Sequence, residues 1–330
     1  MILILSSEDD RSVDLVLRKL LERGIEVYRW DPGDFPVSAR MTSRLVGGAW
    51  RHTLVTADAE IDSADVSAVW IRRPRDPRAA SDTMDPGYRR YVERIGRIFL
   101  DGWEDTFETR WFPARLGVLI RTQSKLVNLA AAAKLGFTVP DTTVTNDPEG
   151  LAVAWSEAGG RLMAKEVEAL PYNFDGFGNA FYTTAVTRRH LTSRHRLVHA
   201  PVILQPRVDK AVELRINVVG DQVFTAEIHS QGSRATLDDF RHYEGTFTEY
   251  GVYDLPKDLE RRCVELVRSL GLDFGCIDMI LTPEGEYVYL ELNPNGQWGW
   301  VEEVTGLPIS EAIAERLAAD ERPAVQGVPA

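Results

Sequence analysis

Residues 276–293 read CIDMILTPEGEYVYLELN, two apolar-rich runs joined by Thr-Pro-Glu-Gly. Period-two patterning on either side of a turn tetrad predicts an antiparallel hairpin, with 282–285 as the turn. In the simplest register Leu281 faces Glu286 and Asp278 faces Tyr289, so that Asp278, Glu291 and Asn293 point to one side. Their neighbours Ile277, Ile280, Val288, Leu290 and Leu292 are apolar. Like charges buried side by side are costly unless a cation lies between them, and hard oxygen ligands are what Mg²⁺ takes, usually together with phosphates. The plain alternative is the polar outer face of a two-stranded edge.

Working outward, residues 202–219 (VILQPRVDKAVELRINVV) give a strand, a proline-marked kink and a second strand on which Glu213, Arg215 and Asn217 share a face. Such a face can bind polar ligands, and cross-strand ion pairing explains it equally well. Lys125 opens a helix predicted over 125–135, where the helix dipole favours phosphate, and Lys165 ends an apolar strand over 161–166. Either lysine alone reads as a solvated surface residue.

The whole chain has 330 residues, with 50 acidic against 38 basic side chains and a formal charge of −12. That balance argues against nucleic acid and against an anionic membrane as partners. Cys263 and Cys276 are too few for a disulfide framework or a cysteine zinc site, and free thiols fit a reducing, cytoplasmic interior. No apolar run approaches the roughly 18 residues of a membrane span. The start, MILIL, reads as a strand; a helix over 12–23 and strands over 25–30 and 67–71 make it an α/β unit with a parallel sheet. A helix follows over 88–108, and the C-terminal part adds helices over 259–270 and 310–319. Three units are expected, 1–118, 119–200 and 201–330.

The segments QSKLVNLAAAAKLGFTVPDTTVTNDP (123–148), ILQPRVDKAVELRINVVGDQVFTAEIHSQ (203–231), LDDFR (237–241) and the run from 271 to 309 containing FGCIDM and ELNPNGQW together resemble the ATP-grasp maturases of ribosomal peptides, the graspetide or microviridin-type ligases. VWIRRP at 69–74 is similar as well. The resemblance implies an α/β (α+β) ATP-grasp fold with an N-terminal pre-ATP-grasp domain, a small central unit and a C-terminal unit carrying a metal site. It implies ATP held by Lys125, Lys165, the hinge Gln205, Pro206, Arg207 and Val208, and Glu213 at the ribose. Asp278, Glu291 and Asn293 would hold Mg²⁺, and Arg215 and Arg241 would stabilise the transferring phosphoryl group. The expected reaction is phosphorylation of Asp or Glu side chains in a precursor peptide, then closure of an ω-ester by Ser or Thr, or an ω-amide by Lys. A homodimer is also implied. Two departures stand out: Cys276 occupies a position where many ATP-grasp ligases have arginine, and Trp111-Phe112-Pro113 stands where relatives have Trp-Val-Asn.

Peptide contacts are expected at Arg72 and Arg73, which leave an apolar strand at its carboxyl end, and at Tyr172 and Asp175 in a glycine- and aromatic-rich segment (172–182) read as a lid. Asp76 and Asp82 could instead pair with the two arginines. From 176 to 208 there is no carboxylate, while five arginines and three histidines fall there. This suits either a solvated helix face or an acidic ligand. Trp298 and Trp300 are read as alternating along an extended stretch, to wall the site or pack a core. The competing readings are a carboxylate-amine ligase acting on a free amino acid and a non-catalytic nucleotide-binding or peptide-binding protein.

Overall fold

The computed structural model describes residues 1–79, 84–167, 172–174, 177–179, 183–232 and 248–319. The N-terminal part is built on β1 (Ile2–Ser6), α1 (Arg11–Glu22), β2 (Val27–Trp30), β6 (Ala68–Arg73) and β7 (Arg110–Phe112), a parallel sheet in the order β2-β1-β6-β7. β1 is buried on both faces, as a central parallel strand must be. Asp10 caps α1 by accepting from the Ser12 amide, and Gly24, at φ 69°, ends it. Between β2 and β6 lies an antiparallel meander of β3 (Arg40–Val46), β4 (Ala49–Val55) and β5 (Glu60–Asp62), which the sequence reading did not anticipate. Its strands are largely exposed, so hydrophobic alternation is weak there. The signal that could have found it is Gly47-Gly48, both at positive φ, between two strand-length runs. The long α2 (Pro86–Thr106) follows β6.

Two helices, α3 (Leu116–Gln123) and α4 (Lys125–Lys134), lead onward; the expected boundary at 118 falls within α3. The middle of the chain holds β8 (Thr143–Thr145), α5 (Pro148–Glu157), β9 (Leu162–Lys165), a hairpin of β10 (Tyr172–Phe174) and β11 (Phe177–Asn179), β12 (Thr184–Ala185), α6 (Arg188–Thr192) and β13 (Val202–Pro206). Its four-stranded sheet runs β12-β9-β13-β8 over a small core of its own, including Leu151, Leu162 and Leu204.

The C-terminal sheet, β16-β15-β14-β17-β18, is antiparallel. It comprises β14 (Val212–Val219), β15 (Gln222–His229), β16 (Glu249–Val252), β17 (Phe274–Leu281) and β18 (Tyr287–Asn293), with α7 (Lys257–Ser269) packed on one face. After β18 come α8 (Gly299–Thr305) and α9 (Ile309–Ala318). The expected extended stretch around Trp298 and Trp300 is therefore corrected. Trp298 precedes α8, closed by Gly306 at φ 72°, and is buried, while Trp300 stacks edge-on against Tyr250 at 5.4 Å.

The first and last parts of the chain share their cores. Ile2 and Ile4 join α1, α8 and α9, while Leu3 and Leu5, facing the other way, join Leu214, Ile216 and Val218 of β14 and the apolar face of α7. Among the described residues no helix is long and apolar enough to cross a membrane.

Candidate active site

β14 turns Leu214, Ile216 and Val218 into the core and Glu213, Arg215 and Asn217 to the opposite face, as their shared parity requires. The register carries that face across three strands. Arg215 faces Asp278 on β17, and Asp278 faces Glu291 on β18; one step along, Asn217 faces Cys276 and Cys276 faces Asn293. The hairpin register therefore differs from the expected one. Leu281 faces Tyr287, not Glu286, and Asp278 faces Glu291, not Tyr289. The pairing shifts beyond Met279, where Met279 faces Tyr289 and Asp278 faces Glu291, so Leu290 is the additional residue. A bulge of this kind re-aims a side chain, and here it brings the second carboxylate directly opposite the first.

The resulting row runs Arg215, Asp278, Glu291, Lys125. Arg215 Nη1 donates to both carboxylate oxygens of Asp278, at 2.8 and 3.0 Å, and Lys125 Nζ lies 3.0 Å from Glu291 Oε2. Two acids thus sit between two bases, all four side chains less than a fifth exposed. Burial pulls the Arg215 guanidinium down, and the carboxylates of Asp278 and Glu291 more than offset it, so the group is raised and stays charged. The Cys276 thiol is pushed up by burial against the pull of Arg215 and Arg72, and its Sγ donates to Asn217 Oδ1 at 3.1 Å. It is a packing group and not a thiolate.

Hard oxygen donors face one another here, so the chemistry of the set fits a hard divalent cation. Asp278 and Glu291 oppose each other, and Asn293, on the same face, donates its amide to Glu291 Oε1 at 3.3 Å. Among the described residues no cluster of three or more His, Cys, Asp or Glu could hold a metal, so a cation here would draw its remaining ligands from water or phosphate.

Lys125 is placed by α4, whose Asn128 is fully buried. The Asn128 amide donates to the Leu292 carbonyl at 3.1 Å, and its oxygen accepts from the Tyr289 hydroxyl at 3.2 Å, which locks α4 onto β18. An asparagine inside the run KLVNLAAAAK was the available clue, and the sequence reading missed it.

Arg72 does not reach out to solvent. It is 1% exposed, forms an ion pair with Asp10 at 3.0 Å, and donates to the carbonyls of Asn295 (2.8 Å) and Gly296 (2.9 Å) and to Gln297 Oε1 (2.8 Å). A register shift at the end of β6, where Leu5 faces Ile71 and Ser6 faces Arg73, leaves Arg72 as the additional residue. Burial lowers its guanidinium to about 10, against the pull of Asp10. The clamped loop, 294–297, in turn holds Arg215, whose Nη2 donates to the Gln297 carbonyl at 2.9 Å. Gly296 admits no side chain cheaply: a Cβ would come within 2.7 Å of Cys276 Cβ and 2.9 Å of Arg215 Nη2. Arg73 stands at the end of β6 with φ 92°, exposed, in the field of Asp10 and Arg215. That backbone region is strained for a side-chain-bearing residue, and strain of this kind concentrates at functional sites.

In the central sheet Lys165 faces Ile203 and Met163 faces Gln205, so Lys165 and Gln205 share the face turned away from Leu162, Leu204 and α5. Gln205 is buried; its amide donates to Thr142 Oγ1 at 2.9 Å, and its Oε1 has no hydrogen-bond partner among the described residues. Pro206 ends β13, the Arg207 amide donates to the Arg161 carbonyl, and Val208 follows in the connection to β14. Glu213 accepts from Ser230 Oγ at 2.6 Å and lies 3.1 Å from Lys210 Nζ.

The pre-ATP-grasp domain model of MvdD matches residues 1–114. The fold superimposes on a RiPP-associated ATP-grasp ligase of Chryseobacterium gregarium, solved with ADP and a leader and core peptide, with a TM-score of 0.88, 30% identity and 97% of each chain covered. RiPP denotes a ribosomally made, modified peptide. The chain belongs to the RiPP-associated ATP-grasp ligases. Two macrocyclases of Microcystis aeruginosa MRC are also similar to this ligase. MdnC, bound with precursor peptide MdnA, has a TM-score of 0.85 and 29% identity over 97% of this chain and 99% of its own; MdnB has 0.78 and 30% over 96% and 98%. A sequence search against curated proteins gave no match.

Of the remaining expected site residues of this ligase, Tyr172 lies on β10 opposite Asn179, and Asp175 and Arg241 lie outside the described residues. The arginine- and histidine-rich stretch runs through α6 and a short 3-10 segment, Arg194–His199, with Arg188, Arg189, His190 and Arg196 exposed.

Proposed function

We propose that this chain uses ATP and Mg²⁺ to activate Asp or Glu side chains of a ribosomally made precursor peptide and closes macrocycles with them. The observation that carries the reading is the row Arg215, Asp278, Glu291, Lys125 on the polar face of a sheet whose other face is apolar core. Both reactants, a nucleoside triphosphate and a carboxylate, are anions, so the site must neutralise and align them, and this row supplies fixed charge of both signs.

In this reading Asp278, Glu291 and Asn293 would hold Mg²⁺, which would supply charge neutralisation for the triphosphate. Lys125 and Lys165 hold the phosphates from either side. Gln205 to Val208 receive adenine; the Gln205 Oε1 without a described partner is an acceptor suited to an exocyclic amine. Glu213, already oriented by Ser230 and Lys210, takes the ribose. Arg215, fixed between Asp278 and the Gln297 carbonyl, meets the γ-phosphoryl group as it moves to a carboxylate oxygen, forming an acyl phosphate and ADP. A Ser or Thr hydroxyl or a Lys amine then attacks the acyl carbon, phosphate leaves, and the peptide has lost one water per ring. Arg241 is assigned to the same phosphoryl group. Arg73, exposed beside the field of Arg215, offers a second positive charge near the position where Cys276 replaces arginine.

Arg73, Tyr172 and Asp175 are the proposed peptide contacts, whereas Arg72 holds the 294–297 loop. The division at 118 and 200, a cytoplasmic location and a homodimer belong to the same reading. A related ligase solved with ADP, a leader and a core peptide supports it. The test is incubation of the protein with ATP, Mg²⁺ and a precursor peptide carrying Ser, Thr or Lys with an acidic core, followed by mass spectrometry. Loss of one water per ring with matching ADP is expected. A peptide of unchanged mass with no ADP contradicts the reading for that substrate.

A further inference from the structure

The inner face of α2 is filled. Leu100 and Trp103 join the core, Phe99 stacks on Phe35 at 5.6 Å, and Gly96 is pressed so close to Pro77 that a Cβ would lie 3.3 Å from it. The outer face carries Tyr88, Tyr91, Ile95 and Ile98, which are 46–60% exposed. Their spacing of three, four and three residues is that of the a and d positions of a helical seam. Tyr88 and Tyr91 stack on each other at 6.3 Å, and one heptad beyond Ile95 stands Gly102, with no atom within 4 Å of where its Cβ would be. A contiguous apolar stripe along a helix of about 30 Å marks an interaction surface rather than scattered exposure.

The charges beside the stripe say what covers it. The exposed flanking residues are Arg90 and Arg94 in the first half of α2 and Asp101 and Asp105 in the second. Laid antiparallel on itself about a point between Ile95 and Ile98, the helix sets Ile95 against Ile98 of the copy, Tyr91 over Gly102, and Arg94 beside Asp101. Parallel docking would set arginine on arginine. A partner of a single sign would match only half of the stripe, whereas a second copy related by a two-fold axis matches all of it. We infer that α2 is the face through which two copies of this chain pair, antiparallel and two-fold symmetric. This rests on the homodimer proposed above and assigns its contact surface. Asp101 already pairs within the helix with Arg97 at 2.6 Å, and the cross-helix contact shares that carboxylate.

The test is sedimentation velocity of the full chain over a concentration series, beside variants on the outer face of α2. The wild type is expected to be a dimer, and Ile95→Glu with Ile98→Glu is expected to be a monomer with an unchanged circular-dichroism melt. Arg94→Asp and Asp101→Arg each alter two symmetry-related contacts and are expected to weaken the dimer about tenfold singly. Combined, they are expected to restore it, a result that loss of folding cannot produce. A monomeric wild type would overturn both the dimer and this face. A dimer whose dissociation constant survives the paired glutamates or both single reversals would overturn the face while leaving the dimer standing.

Discussion

Along β14, Leu214, Ile216 and Val218 are at most 1% exposed, and Glu213, Arg215 and Asn217, pointing the other way, are at most 7% exposed. The two faces are buried to nearly the same degree and made of opposite chemistry. Each large apolar side chain on the first face stabilises the fold by about 1.5–3 kcal/mol through the area it removes from water. The second face gains little in that way, because desolvating an ion pair offsets much of its attraction. Every charged group in view is nonetheless held by a partner: Arg215 by Asp278 and the Gln297 carbonyl, Glu291 by Lys125, Glu213 by Ser230 and Lys210. One strand thus separates the part of the molecule that provides stability from the part that positions charge, at a step of a single residue.

The sharpest way to break that comparison is Arg215→Met. Asp278 is left without its guanidinium, the loss of stability is expected to be about 3–5 kcal/mol, and ring closure is expected to stop. Equilibrium denaturation and the mass-spectrometric assay read the two effects separately. Retained ring closure would remove Arg215 from the reacting centre. Ile216→Ala, one residue on, tests the other face. A loss of about 3 kcal/mol is expected from burial and cavity terms, with kcat/KM of the folded enzyme nearly unchanged. A large fall in kcat/KM at full folding would show that the faces are not separable.

A smaller effect probes a buried charge away from the row. Glu104, on the inner side of α2, is raised from 4.5 to about 7 by burial, against the pull of Arg97. Between those two values the folded state keeps a proton that the unfolded chain has released. Its contribution to stability is therefore full below about pH 4.5, is lost as pH rises towards 7, and changes no further above that. Glu104→Gln carries no such charge. Relative to it, the wild type is expected to lose on the order of 2–3 kcal/mol across that interval, read from denaturant midpoints at several pH values. Parallel pH profiles for the two proteins would contradict the assignment.

The hairpin of β17 and β18 was legible because its alternation is clean and Thr-Pro-Glu-Gly marks a turn. Its register was not, because the turn takes one residue more than expected and a bulge at Leu290 adds another, and together they move Asp278 two residues along its partner strand without leaving a composition signal. The shared face of Glu213, Arg215 and Asn217 followed from parity alone. The role of Arg72 could not be read, since its partners Asn295, Gly296 and Gln297 lie more than 220 residues away in sequence. Trp298 and Trp300 misled because period-two spacing over three residues fits an extended stretch as well as the start of α8.

The central claim is that Asp278 and Glu291, set between Arg215 and Lys125, hold the metal that accompanies the nucleotide. Titration calorimetry of ADP with and without Mg²⁺, on the wild type and on the Asp278→Asn, Glu291→Gln double variant, tests it most directly. The wild type is expected to bind ADP more tightly with Mg²⁺, by about tenfold or more, and the double variant is expected to bind it equally with and without the ion. An undiminished Mg²⁺ dependence in the folded double variant would contradict the assignment.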